Sequence, residues 1–290
     1  MHDMAGLEKG APVEPPKMPD RPSPVVIYRK GHLKVAEIFF QGADAFNARG
    51  DASVDVVRHR SCSRPVDGCQ SAESYTLWVN LKENPKYLIA RMSRTTRSQI
   101  RRAEREDLRY EFNSTPTSTW TEQFFDFYEI FAHSKKLHSV DRRKVLAMIS
   151  QSALDLSRMS SRDGRVLVWH AHLRCGAYAC CLYSASLFRG ESKSMAGYIG
   201  RANRLHHWYD MLRFRDEGFS VYDLGGWYPG KDNEALLRVN RFKKGFGAGL
   251  VLNYNCDQGL SWKGVIALWL RGLFLRTQSG NTRHVIPARG

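Results

Sequence analysis

Alternating apolar and polar positions predict short strands in the first part of the chain. We expect strands in VVIYRKGHLKVAEIFF (25–40), SVDVVRHR (53–60), YTLWVNL (75–81) and RYEFNS (109–114). The polar run SCSRPVDGCQSAES (61–74) between two of them is typical of a loop. The first hundred residues therefore supply several strands to one or more sheets.

Apolar residues spaced three or four positions apart predict helices between and after these strands. One such segment covers 84–108, with Pro85 near its start, where proline is tolerated. Two more cover 118–137 and 139–159, each with Ser, Thr or Asp near its beginning.

The second half of the chain returns to strands. RVLVWHAHL (165–173) and CGAYACCLYSASLF (175–188) predict a hairpin, and SMAGYIG (194–200) reads as a third strand. A helix follows over 202–218, with Gly218 as its C-terminal cap. From Arg109 onward the predicted order is strand, two helices, three strands, helix, strand, helix, strand.

The run SVYDLGGWYPGKDNEALLRVNRFKKGFGAGLV (220–251) contains the last three of these elements. It begins as a buried strand (220–224), turns at a glycine corner, and continues through an aromatic loop into an amphipathic helix and a final strand. An acidic residue ends the first strand, and a lysine pair lies in the helix. The residues that stand out are Asp223, Gly225, Gly226, Trp227, Tyr228, Phe242, Lys243 and Lys244.

Composition describes a globular and strongly basic protein. With 290 residues and 42% hydrophobic residues, the chain can bury a sizeable core as one large domain or two modest ones. The formal net charge of +15 predicts attraction to polyanions such as RNA, nucleotide phosphates or anionic membranes. Charge alone does not choose among these partners.

Cysteine and histidine usage predicts a cytosolic protein without a metal ion. The six cysteines form no CxxC pair, and Cys180 and Cys181 lie in an apolar strand, so we expect reduced thiols. The histidines contain no HExxH pattern, and we interpret the pair His206–His207 as structural. The polar, proline-rich residues 1–24 carry no secretory signal and predict a mobile tail.

The element order resembles that of the GNAT acyltransferase fold, in which a mixed sheet splays open between its fourth and fifth strands. Within that fold the chain is similar to the FemABX-type aminoacyl transferases. Two stretches carry the resemblance, YTLWVNL…ARMSRTTRSQIRRAERE and YDLGGW…LLRVNRFKKGFGAGLV, across roughly residues 75–251. The resemblance implies an α/β (α+β) fold with a mixed sheet and a short, truncated N-terminal subdomain.

The resemblance also implies a chemistry, the transfer of an aminoacyl group from aminoacyl-tRNA to an amine. The lysine of the family's F-K pair stabilises the oxyanion of such a reaction, a role that falls on Lys243 of Phe242–Lys243. Asp223 would orient the amine or hold the corner. Gly225 and Gly226 would let backbone approach the substrate, and Trp227 and Tyr228 would exclude water. No cofactor is implied beyond tRNA as co-substrate.

Arginines supply further candidate binding residues. Arg94, Arg97, Arg101 and Arg105 recur on one face of the predicted helix 84–108, where they would contact tRNA or a diphosphate-bearing acceptor. The alternative is a solvated face, partly neutralised by neighbouring acids. In GYIGRANRLHHW (197–208), a second glycine of the coenzyme A pyrophosphate turn is missing, and Arg201 and Arg204 are the candidate phosphate contacts.

The last apolar segment, SWKGVIALWLRGLFLRT (261–277), is too short to span a bilayer. It predicts an amphipathic helix that packs on its own domain, lies on a membrane surface or binds a partner helix. Its apolar stripe consists of Trp262, Val265, Ile266, Trp269, Leu270 and Leu273. We therefore divide the chain into a tail (1–24), an N-terminal subdomain (25–75), a transferase core (76–255) and a C-terminal helix and tail (256–290).

The sequence thus favours a cytosolic aminoacyltransferase, peripheral to the membrane if the last helix lies there. The acceptor would be a cell-wall precursor, nucleotide- or lipid-linked, or a small amine-bearing metabolite. Two alternatives stay open: an N-acyltransferase that uses acyl-CoA or acyl carrier protein, and a non-catalytic RNA- or membrane-binding module. The amino acid, the acceptor and the oligomeric state are not indicated by the sequence.

Overall fold

The computed structural model describes residues 24–40 and 53–279. The predicted tail, apart from Pro24, lies outside these residues. The described strands are β1 (Val25–Lys30), β2 (Leu33–Phe39), β3 (Val56–Cys62), β4 (Gln70–Asn80), β5 (Arg109–Asn113), β6 (Leu154–Ser160), β7 (Val166–Cys175), β8 (Tyr178–Ser186), β9 (Val221–Gly226) and β10 (Gly249–Gly259). The described helices are α1 (Pro85–Arg91), α2 (Arg94–Ala103), α3 (Ser118–Lys135), α4 (Arg142–Ser150), α5 (Lys193–Asp216), α6 (Glu234–Lys244) and α7 (Trp262–Ser279).

These ten strands form one mixed sheet in the order β1-β2-β3-β10-β4-β9-β8-β7-β6-β5. Neighbouring strands are antiparallel except for two parallel pairs, β2 with β3 and β8 with β9. The mixed α/β fold expected from the sequence is therefore confirmed. The sheet is continuous across the boundaries drawn at 75/76 and 255/256, because β4 and β10 each run through one of them.

Polar side chains at the helix starts explain where the helices begin. Ser93 accepts a hydrogen bond from the backbone N–H of Thr96, so the predicted helix 84–108 is divided into α1 and α2 at this residue. The same kind of cap begins the other helices from α1 to α6, at Asn84, Thr117, Asp141, Ser192 and Asn233. Each cap satisfies a backbone donor that the first turn would leave unpaired.

Two predicted elements were wrong, but together the two errors leave the predicted order of elements unchanged. The predicted helix 139–159 ends at Ser150, and 154–160 form β6, in which buried polar residues hide the alternation. SMAGYIG (194–200) is helical and belongs to α5, which Ser192 caps. The order from Arg109 onward is therefore as predicted, although one of its three strands is a different segment. The predicted loop 61–74 was also wrong in part, because Gln70–Ser74 pair with β10 as the start of β4.

Apolar clusters cover both faces of the sheet. On one face α3 and α4 contribute to a cluster that contains Phe124, Trp169 and Tyr183. On the other face α2 and α5 contribute to a cluster that contains Phe214 and Tyr222. Within the described ranges, no helix combines the length and apolar content that a bilayer crossing requires. The central strands β8 and β9 are thus mostly buried between these clusters, whereas β10 is partly exposed.

Candidate active site

The centre of the sheet opens where the parallel strands β8 and β9 separate. Their pairing covers only Tyr178↔Val221, Ala179↔Tyr222 and Cys180↔Asp223, whereas β8 continues to Ser186 and β9 to Gly226. The last paired residue of β9 is thus Asp223. We call the separation beyond this residue the splay. It lies where the GNAT resemblance placed it, between the fourth and fifth strands of the order that begins at Arg109.

The glycine corner is a bulge on the β4 side of β9. Trp78 pairs with Asp223 and Thr76 with Gly226, so β9 has one residue more than β4 between these pairs. Gly225 absorbs the extra residue with φ of 80°, a conformation that strongly favours glycine. A Cβ at Gly225 would stand only 3.1 Å from the carbonyl oxygen of Cys181. The corner therefore requires glycine both for its backbone angle and for its close approach to β8.

Asp223 holds this corner with one oxygen of its carboxylate. The backbone N–H of Gly225 donates to Oδ1 at 2.7 Å, and the Thr76 hydroxyl donates to the same oxygen. Asp223 is fully buried, and Oδ2 has no hydrogen-bond partner among the described residues. Trp78, its partner across the strands, also has a buried indole N–H without a described partner. A buried acceptor and a buried donor thus lie side by side on one face of the sheet.

Lys243 reaches the corner from the last turn of α6. Its Nζ donates to the carbonyl oxygen of Gly226 at 2.8 Å and lies 3.7 Å from the position of a Cβ on Gly225. Lys243 is half-buried, whereas its neighbour Lys244 is exposed. The structure therefore brings Lys243, Asp223 and both glycines together at the splay, and it separates the two lysines of the pair.

The aromatic loop after the corner is fixed by a helix side chain. The Asn240 amide donates to the Tyr228 carbonyl at 2.7 Å and accepts from the Tyr228 N–H at 3.0 Å. Tyr228 is buried, and its hydroxyl bonds Asp232. Trp227 is half-buried and donates its backbone N–H to Tyr75. Because Asn240 ties the loop to α6, it also fixes the position of Lys243 relative to the corner.

A fully buried polar network lies behind the corner, on the α5 face of the sheet. Its centre is Asp210, which accepts from His170 Nδ1 at 2.7 Å and from the hydroxyls of Tyr110 and Ser157 at 2.9 Å each. Burial alone would raise the pKa of the Asp210 carboxyl, but the nearby His206, His172 and His170 hold this pKa far below its usual range. The network therefore contains a buried carboxylate that stays charged.

Tyr222 joins this network to the candidate site, because it immediately precedes Asp223. Its hydroxyl lies 2.9 Å from His207 Nδ1 and 3.0 Å from His172 Nε2. Burial lowers the pKa of His172 to about 4, and it lowers the pKa of His206 and His207 well below the usual range. These three histidines are thus neutral at pH 7, and two of them, His172 and His207, anchor β9 at the residue beside the corner.

Two overlapping sets of residues in this network have the donor types of a metal site. One set is His170, Cys181 and His207, and the other is His170, His172 and Asp210, with ligand atoms within 4.8 Å of one another in each. In the structure most of these side chains hydrogen-bond to each other or to Tyr222 and Asn203. His206 and His207 are adjacent in sequence, but only His207 is in one of these sets.

The arginine face lies next to the candidate site. A surface depression of about 390 Å³ is lined by Arg94, Arg97, Ser98, Arg101 and Arg105 along α2. The start of α2 contacts the end of α6, because the N–H of Ser93 donates to the carbonyl of Gly245 at 2.9 Å. Arg97 also caps α1, donating to the Ala90 carbonyl at 2.8 Å. The arginine face thus begins beside Gly245, which follows Lys243 by two residues in the sequence.

Arg201 and Arg204 are engaged within the protein. Arg201 forms a bidentate ion pair with Glu106, with Nη2 to Oε1 at 2.7 Å, and it is largely buried. The Arg204 guanidinium stacks 4.8 Å above the ring of Phe242, and burial lowers its pKa. Because 197–208 lie inside α5, the comparison of this segment with a pyrophosphate turn was wrong. The residues that precede α5 are 187–192, and the missing glycine gives no argument about coenzyme A.

Sequence reasoning missed the side chains that support the predicted ones. Thr76 and Trp78 on β4, Asn240 on α6 and Tyr222 on β9 contact or flank the corner, and although all four lie in the stretches that carry the resemblance, none was singled out. Their roles depend on strand register and on the β9 bulge. The one signal available was Tyr222 itself, a buried aromatic residue with a polar hydroxyl, which immediately precedes Asp223 in β9.

Solved structures of known proteins share this architecture. FemX superposes with a TM-score of 0.58 at 14% sequence identity, over 81% of this chain and 83% of that one. The C-terminal domain of a putative lysylphosphatidylglycerol synthetase from Agrobacterium fabrum matches with a TM-score of 0.49 at 13% identity, over 90% and 87% of the two chains. A tandem GNAT protein from the clavulanic acid biosynthesis pathway matches with a TM-score of 0.38 at 8% identity, over 80% and 81%.

The comparison with FemX establishes the fold class. The chain has a GNAT-type fold, in the form seen in FemX, and the structural resemblance that the sequence indicated is confirmed. No protein-family model matches the chain, and no curated protein matches it. Identity at this level shows the fold alone, so the activity rests on the geometry of the site.

Proposed function

We propose that this protein is an aminoacyltransferase that moves an aminoacyl group from aminoacyl-tRNA to an amine and forms an amide bond. The observation that carries the proposal is the position of Lys243, whose Nζ lies at the corner where β8 and β9 separate, 2.8 Å from the carbonyl of Gly226. A fixed cation at the open centre of the sheet suits a reaction that develops negative charge on a carbonyl oxygen.

The reaction needs no covalent enzyme intermediate. The lone pair of the acceptor amine attacks the ester carbonyl and forms the new C–N bond, while the carbonyl oxygen becomes an oxyanion beside Lys243. As the oxyanion collapses, the C–O bond to the tRNA ribose breaks, and a proton from the amine passes to the leaving ribose oxygen. Charge on the oxyanion is greatest between these steps, so Lys243 stabilises the transition state more than the substrate.

The Asp223 carboxylate has an oxygen that can accept a hydrogen bond from the acceptor amine. Its Oδ1 is occupied by Thr76 and Gly225, which fixes the carboxylate plane, whereas Oδ2 has no partner among the described residues. We assign Oδ2 to accept a hydrogen bond from the acceptor amine and so orient its lone pair.

The arginine face of α2 favours tRNA as the donor. The arginine face of α2 presents Arg94, Arg101 and Arg105 beside the end of α6, and a nucleic acid supplies phosphates along such a path. Arg201 and Arg204 contribute less, since Glu106 and Phe242 engage their guanidinium groups. The acceptor is an amine on a cell-wall precursor or on a small metabolite.

A binding measurement tests the choice of donor. Calorimetry at moderate salt should show submillimolar or tighter binding of aminoacyl-tRNA and of acceptor-stem mimics, with little binding of acetyl-CoA. Moderate salt matters because any protein of this charge binds RNA weakly at low ionic strength. Saturable binding of coenzyme A without measurable binding of tRNA would overturn the proposal and favour an acyl-CoA-dependent N-acyltransferase.

A further inference from the structure

The last helix, α7, turns its apolar stripe away from the protein. Val265, Ile266, Trp269 and Leu270 are 47–59% exposed, and Trp262 is 71% exposed. The expectation that this stripe packs on its own domain was therefore wrong for these five residues, and the side chain of Leu273 lies outside the described ones. At 100° per residue the five side chains cover one continuous arc of the helix.

The opposite face of α7 attaches the helix to the sheet through small contacts. Leu268 is buried in the core, and Gly264 lies so close to β3 that a Cβ would collide with the backbone carbonyl of Asp55. Arg271 pairs with Asp257 on β10. Because these contacts fix which face points inward, the exposure of the apolar stripe is set by the fold.

Basic residues border the stripe at its N-terminal end. Ser261 Oγ and the backbone N–H of Lys34 donate to the carboxylate of Asp55 and lower its pKa, and Lys263 and Arg29 add to this effect from nearby. Two cations, those of Lys263 and Arg29, thus lie near this carboxylate, and the Lys263 Nζ also lies 5.8 Å from the centre of the Trp262 ring. A surface with tryptophans and aliphatic residues in its centre and cations at its edge has the composition of helices that lie in a lipid headgroup layer.

We propose that α7 docks the protein on an anionic lipid bilayer, with Trp262, Ile266 and Trp269 entering the headgroup region and the basic edge contacting lipid phosphates. The two tryptophans suit this depth, because indole rings prefer the boundary between headgroups and acyl chains. Cations at one end of the stripe favour anionic lipids over neutral ones. The proposal concerns a surface separate from the splay, and it stands or falls independently of the aminoacyltransferase proposal.

Vesicle flotation with the full chain tests this docking surface. Vesicles of equal parts phosphatidylglycerol and phosphatidylcholine should carry the wild-type protein, and pure phosphatidylcholine should carry at least tenfold less. The double variant Ile266→Ser/Trp269→Ser should lose at least tenfold in binding to the anionic vesicles. The matched control is Tyr87→Ser/Ile130→Ser, which removes two exposed apolar residues elsewhere, of 61% and 59% exposure, and should bind as the wild type does.

Circular dichroism and thermal melting should show that each variant is folded, because the substituted positions are exposed. Three results would overturn the proposal: no flotation with anionic vesicles, equal flotation with neutral vesicles, or equal loss in both double variants. Light scattering tests whether a second copy of the chain binds the apolar stripe instead of a bilayer. A dimer that Ile266→Ser/Trp269→Ser dissociates, with lipid binding unchanged, would assign the stripe to self-association instead.

Discussion

At the scale of single residues, the two lysines after Phe242 differ in surroundings although they are adjacent in sequence. Lys243 is half-buried and donates to the Gly226 carbonyl at the corner, whereas Lys244 is exposed. The resemblance to FemABX-type enzymes selected the first lysine, and the structure gives it a position consistent with that role. Residue patterns alone could not have separated them, since the difference comes from the direction in which α6 presents each side chain.

We predict that Lys243→Ala lowers turnover about 10²-fold or more, the usual effect of removing one group that stabilises an oxyanion. The fold should persist, because the lost hydrogen bond is to one backbone carbonyl at the end of a strand. Single-turnover kinetics with saturating substrates measure the effect on the chemical step. Lys244→Ala is the control and should retain nearly full turnover. A well-folded Lys243→Ala protein with normal turnover would exclude Lys243 from the chemistry.

At the scale of elements, the two segments that carry the family resemblance meet in space. The start of α2 contacts the end of α6 through Ser93 and Gly245, so the arginine face and Lys243 are parts of one surface. Sequence spacing predicted that four arginines share a helix face; Arg94, Arg97 and Arg101 do so on α2, whereas Arg105 follows the end of the helix and still lines the depression. Their distance from the lysine could not be predicted, since it depends on how α1 and α2 fold back over the sheet.

We predict that Arg94→Gln/Arg101→Gln weakens binding of tRNA and flattens its salt dependence, because each lost phosphate contact removes counterion release. Arg97 is left intact because it also caps α1. Titrations over several salt concentrations give the slope. The control Arg143→Gln/Arg189→Gln removes the same charge from exposed positions elsewhere. Identical affinity and slope in both double variants would show that the α2 face is only solvated.

The element assignments also show where periodicity fails. β6 was predicted as helix because Asp155, Ser157 and Ser160 are buried polar residues, which break the apolar alternation of a strand. A polar residue suits the buried position of Ser157, because its hydroxyl donates to Asp210, a residue of α5 fifty-three positions later. SMAGYIG was assigned as a strand, yet Ile199 lies on the buried face of α5. In both segments tertiary contacts decided the structure, and those contacts are invisible to a local pattern.

At the scale of the whole molecule, the buried network around Asp210 links α5, β6, β7 and β9. Three of its histidines are neutral in the folded protein, since burial lowers the pKa of His172 to about 4 and that of His206 and His207 well below 6.5. The unfolded chain binds these protons at higher pH than the folded chain does. Stability is therefore fully present above about pH 6.5 and is lost as the pH falls toward 4.

We predict that the free energy of unfolding decreases between pH 7 and pH 5, with His172 alone contributing about 2 kcal/mol of the loss at pH 5. Urea unfolding at several pH values measures this slope. His172→Gln should make the slope shallower, whereas His138→Gln, at an exposed position, should leave it unchanged. Equal slopes in wild type and both variants would show that His172 is not held neutral in the folded protein.

We propose that the corner at the splay is where an aminoacyl group passes from tRNA to an amine. The most direct measurement incubates the protein with a pool of charged tRNA and follows deacylation with and without candidate amines. The wild-type protein should deacylate the tRNA only when an amine is present and should form an amide product. The Lys243→Ala variant should lose this amine-dependent deacylation. Deacylation that is independent of amine and unchanged in Lys243→Ala, or amide formation from acyl-CoA alone, would contradict it.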